Sequence, residues 1–251
     1  MDFLDQLITN NHYYLGTRNT GASGALRGDV IIIHVLVSDM ASNWMFPMHV
    51  AEYQNAANQM AARLMLEAMM SGTYLTVRSV YLQAMIPGIV DMSNPNIMPL
   101  IFNSLGFMNA SMMQMQYEQM YGCSEAPVIV AVNRPMRSFA TMDNNRSFMR
   151  SPDEYCAVFR HTSGTFEPRV LIHELLHQFG APDYYYPDVT VQAAYRHFPN
   201  SIMFQNGDEI DDLSKYLIGW TDTLTPTAMA FLRDTVSVND AMMLAARLRG
   251  V

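Results

Sequence analysis

The chain has 251 residues, 50% of them hydrophobic and 15% charged, with a formal net charge of −8. That length is enough for one domain, or for two lobes of one catalytic unit, around a large core. It contains no apolar run of the roughly 18 residues that a membrane-spanning helix needs, and its acidic balance gives no reason to expect nucleic acid as a partner.

Residues 1–28 are polar, with Gly16, Gly21, Gly24 and Gly28, and are expected to form an N-terminal extension on the surface. The first six lack the basic start and apolar run of a signal peptide. Residues 30–37 are a continuous apolar, largely β-branched run, which predicts a buried central strand. His34 within it reads as a satisfied core histidine. A helix is expected over 49–70, where Tyr53, Ala57, Ala61, Leu64 and Ala68 form a stripe at helical spacing. A strand over 74–82 follows, and strand–helix–strand of this length implies a parallel pair. Residues 84–96, with Pro87, Gly88 and Pro95, read as loop. A helical stretch spans 97–121, broken near Gly106, and strands follow at 127–132 and 155–160.

Between those strands, residues 138–142 are a candidate edge strand. Either its free backbone groups receive an extended peptide at Phe139, Ala140 and Thr141, or the segment is an ordinary surface hairpin. Beyond residue 183 the expectation is a small, mainly helical C-terminal lobe, with helices at 209–218, 226–233 and 239–249. The organisation expected is an extension (1–28), a catalytic lobe (29–182) and that C-terminal lobe (183–251).

One feature of the composition is abnormal: 23 Met stand against a single Lys, Lys215. Met69 and Met70 fall more than about 100° from the centre of the apolar stripe, on the face that should meet water. Met112, Met113, Met115, Met120, Met136 and Met149 also sit among polar neighbours. Either many such sites carry a modified lysine behind the methionine letter, or the surface is genuinely Met-rich, soft and adaptable. Charge therefore supports no partner assignment. Cys123 and Cys156 are the only cysteines; both are remote from the chemistry-bearing motif in sequence, which gives no reason to expect a thiolate nucleophile.

That motif is residues 173–183, which read His-Glu-x-x-His-x-x-Gly-x-x-Asp. On a helix, His173 and His177 leave the same face one turn apart, close enough for both imidazoles to reach one Zn²⁺ at about 2.0–2.1 Å. Glu174 points to the side of the pair, where it would reach a water molecule rather than the ion, as a general base must. Gly180 can close the helix in the left-handed conformation and Pro182 cannot continue it. The chain then turns back, and Asp183 can bring a third ligand. Glu167-Pro168 resembles the helix start. By chance, His-Glu-x-x-His arises in roughly one chain of this size in a hundred, so alone it decides little. Adding Gly180 and Asp183 lowers that below roughly one in ten thousand, so the longer motif carries the reading. Two blander readings stand beside it: a core helix with two satisfied histidines, and a zinc site without catalysis.

The run resembles the metzincin-like zinc peptidases, within them those with Asp as third ligand, such as snapalysin and the immune inhibitor A group. That resemblance implies an α/β (α+β) zincin fold with a twisted mixed sheet. It also implies zinc as cofactor, a peptide or protein substrate, and an extracytoplasmic location with a leader preceding this sequence. It covers residues 125–220. Metzincins carry a downstream turn with a Met, usually within Ser-x-Met, and Ser201-Ile202-Met203 matches it. Many also have a Tyr two residues after that Met; Gln205 stands here instead. Of Tyr184, Tyr185 and Tyr186, Tyr185 is the candidate to hydrogen-bond a developing oxyanion, with packing over the metal as the other role open to it. Glu209, placed as in thermolysin-like peptidases, and His197 are rivals of Asp183; Glu209 reads better as part of an acidic first helical turn. The competing functional class is a non-catalytic, zinc-containing binding module on a zincin fold.

Overall fold

The apolar run at 30–37 can satisfy its backbone only with a strand on each side, and can hide its side chains only with a layer on each face. The computed structural model, which describes residues 23–44, 46–91, 96–141, 155–161, 163–185, 188–205 and 207–235, provides both. Strand β1 (Gly28–Ser38) pairs parallel with β2 (Leu75–Met85) on one side and β3 (Val128–Pro135) on the other. β3 pairs parallel with β5 (Cys156–Arg160), and the short β4 (Phe139–Ala140) closes the edge antiparallel to β5. The sheet is therefore mixed, in the order β2-β1-β3-β5-β4.

Helices cover both faces. Alternate residues of β1 (Ile31, Ile33, Val35, Val37) join a core cluster with α2 (Ile97–Ser104) and α3 (Ala110–Tyr121). The opposite face meets α1 (Pro47–Met70), which packs on β2 and on α4 (Pro168–His177); α4 in turn packs on β5 and β4. His34 faces that second layer. Its Nδ1 lies 2.8 Å from the Tyr53 hydroxyl, its Nε2 lies 3.2 Å from Ser79 Oγ, and its ring stacks on Tyr81. Burial holds its pKa down at about 3, so the ring is neutral, a satisfied core histidine as expected.

The chain divides into two compact units. One runs to Gly180 and takes in Ile218–Trp220, whose backbone and indole bond Leu26 and Thr73. The other comprises Ala181–Leu217 and the residues from Thr221 onward. It contains α5 (Asp188–His197), α6 (Asp212–Leu217) and α7 (Pro226–Thr235), with α7 packed on α5 and α6. Helix α5 was not expected from the pattern, although Asp188 in its first turn and Arg196 and His197 in its last follow helix-dipole preference.

β2 and β3 run about three residues beyond their expected ends, because parallel pairing continues past the apolar stretch into Gln83 and Asn133. The helical stretch at 97–121 breaks at Gly106, which takes φ +83°. Cys123 and Cys156 are both free thiols. Met69 and Met70 are 66% and 77% exposed, whereas Met60, Met113 and Met203 are fully buried. Among the described residues no helix is long and apolar enough to cross a membrane. Of the extension expected over 1–28, residues 1–22 lie outside the described residues, as does the helix expected over 239–249.

Candidate metal centre

Helix α4 begins where the residues dictate. Glu167 is extended, and Pro168 supplies the fixed φ and missing N–H suited to a first helical position. Leu171, Ile172, Leu175 and Leu176 bury the face that packs on the sheet. The end is a tightening rather than a fray: the N–H groups of Gln178, Phe179 and Gly180 donate to the carbonyls of Leu175, Leu176 and His177. Gly180 then takes φ +91°, a conformation that penalises any Cβ, and the chain reverses ahead of Pro182.

That reversal brings the motif together. One ligand atom each from His173, His177 and Asp183, all on the continuous segment 173–183, lies within 4.8 Å of the others. The two imidazoles stand edge to face, centroids 4.9 Å apart and planes at 86°, so they converge rather than stack. His177 is buried; His173 and Asp183 are half-buried. Two imidazole nitrogens and a carboxylate oxygen form a donor set that zinc accepts. Tetrahedral bonds of about 2.0–2.1 Å imply donor separations of roughly 3.4 Å, which the 4.8 Å bound accommodates. The residues present fit the ion. Of the two rivals, Glu209 has an exposed side chain and engages the turn through its backbone, while His197 turns to Asp234 at 2.8 Å.

Glu174 is 5% exposed, next to the cluster in sequence but not part of it. It lies toward β5. The Cys156 thiol is pushed well above the ordinary range by its own burial and then by the charge of Glu174. Cys156 is in turn the register partner of Ala140 on the edge strand. This corrects one expectation: Cys156 is remote from the motif in sequence but adjacent in space, because β5 runs beside α4. Its thiol stays protonated, donates to Val128 O at 3.8 Å and accepts from Gln178 Nε2 at 3.1 Å.

Gln178 is a residue that the motif reading passed over. Its Oε1 accepts from Val128 N–H (3.1 Å) and its Nε2 donates to Val128 C=O (2.9 Å). The buried side chain thus continues the strand ladder where β5 has not yet begun, and pins the C-terminal end of α4 to β3. No motif signals this; the role of a Gln buried at the end of α4 is readable only once β3 is in place.

The edge strand lies beside β5 as expected, though shorter. Phe139 stacks on Phe159, and Thr141 N–H donates to Tyr155 O at 3.0 Å. Strand alternation then turns the N–H and C=O of Ala140 away from β5. Met142 lies outside the described residues. Of the three tyrosines, Tyr184 is fully buried and Tyr185 is 36% exposed, while Tyr186 lies outside the described residues. Met203 is fully buried in a turn closed by its own backbone: Ile202 N–H donates to Glu209 O, Asp208 and Glu209 N–H to Asn200 O, and Phe204 N–H to Ser201 O. Gly207 is obligatory there, since a Cβ would fall 2.0 Å from Ser201 O. Gln205, at the position expected for a tyrosine in many metzincins, takes φ +49° and donates from Nε2 to the Tyr195 hydroxyl.

No protein-family model matches the chain, and no curated protein or solved structure matches it either.

Proposed function

We propose that this chain is a zinc-dependent endopeptidase of the metzincin-like type. The observation that carries the proposal is the convergence of His173, His177 and Asp183 beside a buried Glu174. When bound, Zn²⁺ would acidify a water molecule and polarise the scissile carbonyl. Glu174 takes the proton of the attacking water and delivers it to the leaving amine. Ala140, with its backbone groups turned outward between Phe139 and Thr141, holds the substrate chain extended by strand addition. Tyr185, the more exposed of the two described tyrosines, donates to the developing oxyanion. The mixed sheet with an antiparallel edge strand and the buried Met203 turn support the same reading. The scope is peptide or protein substrates, with specificity set by loops.

The test is peptide-library digestion paired with metal analysis. Cleavage should vanish with a chelator and return with Zn²⁺; bound zinc without cleavage would instead indicate the binding-module class. Asp183→Ala should lower zinc affinity by more than about 100-fold, as loss of a ligand exceeds the 10–100-fold loss typical of outer partners. Unchanged affinity would remove Asp183 from the set. A carboxylate as third ligand also lowers the ion's Lewis acidity, which places the activity optimum at neutral pH or above. Full activity at about pH 5 would contradict that.

A further inference from the structure

His173 and His177 are placed by a helical hydrogen-bond ladder; Asp183 is not. It lies on non-helical chain between the Gly180 turn and α5, so something else must hold it. The next residue is held at both ends. Tyr184 N–H donates to Met203 O (3.0 Å), and its hydroxyl donates to Asp211 Oδ1 (3.2 Å) and lies 3.3 Å from Ser214 Oγ. The ring packs against Phe231 and Phe198, with centroids 4.9 and 6.3 Å away.

Asp211 is the hub of this arrangement. It is 7% exposed, yet its carboxylate is fully engaged. Oδ1 accepts from Leu213 N–H and Ser214 N–H at the start of α6, besides Tyr184. Oδ2 accepts from Ser201 Oγ (2.5 Å) and Ser214 Oγ (2.7 Å). Ser201 Oγ also accepts Met203 N–H (3.0 Å), so the turn and the tyrosine answer to one carboxylate. A helix cap would need only the contacts to α6; those to Ser201 and Tyr184 exceed that role.

We propose that Asp211, acting through Tyr184 and the Met203 turn, is the positioning residue that sets Asp183 for metal binding. The proposal rests on the zinc reading above. Groups bonded directly to metal ligands orient them, and their loss typically costs 10–100-fold in metal affinity; Asp211 acts one step further out, through the backbone that Tyr184 shares with Asp183. Charge-assisted bonds to a buried carboxylate suit that task, being short and directional.

The experiment measures Zn²⁺ affinity of the full chain by chelator competition, the Co²⁺-substituted absorption spectrum, and thermal unfolding of the metal-free protein. Tyr184→Phe, which removes one hydroxyl and keeps the ring, should weaken zinc binding about tenfold. It should also change the Co²⁺ bands, while metal-free unfolding moves little. Asp211→Asn should weaken binding at least as much; if that chain fails to fold, Tyr184→Phe carries the test alone. In an Asp183→Ala background, Tyr184→Phe should produce no further loss, because its effect runs through the missing ligand. Wild-type affinity and an unchanged Co²⁺ spectrum in Tyr184→Phe would overturn the proposal while leaving the zinc reading intact. A wild-type chain that binds no Zn²⁺ would overturn both.

Discussion

A carboxylate that moves protons must lie close to the ion without ligating it, and must be shielded enough for its charge to count. In the proposed mechanism Glu174 takes that part: it is adjacent to His173 on α4, 5% exposed, and outside the ligand cluster. Glu174→Gln keeps the size and burial but removes the base. It should lower kcat by about 10²–10⁴-fold and leave zinc stoichiometry at the wild-type value; steady-state kinetics with metal analysis checks this. Retained turnover would take Glu174 out of the mechanism. At this scale the candidate site was legible in the sequence because 3.6-residue periodicity and the demands of metal geometry act on side chains a few positions apart. Asp211 was not legible. Its partners Tyr184 and Ser201 are far from it along the chain and meet it only after folding, and in sequence it is one acid among several.

Elements are held by what crosses between them, and two buried polar groups do this around the sheet. Gln178→Ala would leave the buried Val128 N–H unsatisfied and its C=O with only the long contact from Cys156 Sγ. The expected loss is about 2–4 kcal/mol, read by urea unfolding of the metal-free protein; a loss below about 0.5 kcal/mol would deny Gln178 its clamping role. His34 joins β1 to α1 and β2, and it couples that contact to pH. Its folded pKa of about 3 lies below its unfolded value of 6.5. The unfolded chain therefore takes up the proton first. The stabilisation is complete above about pH 6.5 and is lost as pH falls toward 3. Between pH 7 and pH 5 this single group should cost about 2 kcal/mol. A His34→Gln chain should show a correspondingly shallower pH slope in the same unfolding series. β1, the helices at 47–70 and 97–121, and the parallel crossover were readable because their periodicity is strong. Helix α5 was missed because its turns carry few large apolar residues: its buried positions are Thr190, Ala193 and Ala194, which bury little area and leave a weak stripe.

On the scale of the whole molecule, the quantity that matters is charge. The amphipathic pattern of α1 assigns Met69 and Met70 to solvent, and both are indeed exposed, as are Met40, Met48, Met85, Met108, Met115 and Met120. Exposing so many thioethers wastes apolar area that burial would turn into stability, whereas an amine on a long aliphatic stem suits such sites. Met113 departs from the expectation drawn from its polar neighbours: it is fully buried and fills core space, as do Met60 and Met203. If modified lysines occupy the exposed positions, the formal charge of −8 is far too negative and the protein is basic. The pattern predicts that outcome. Isoelectric focusing should then place the protein above pH 7, and mild peroxide should add no oxygen to the peptide carrying Met69 and Met70. An acidic band, with one oxygen gained at each of those residues, would establish a Met-rich surface instead. Either result changes how a peptide substrate is drawn in: a basic surface steers acidic chains at low ionic strength and loses that advantage as salt rises, whereas a neutral thioether surface gives no such salt dependence. Measuring kcat/KM on an acidic and a basic peptide across a salt series connects the charge directly to the proposed activity.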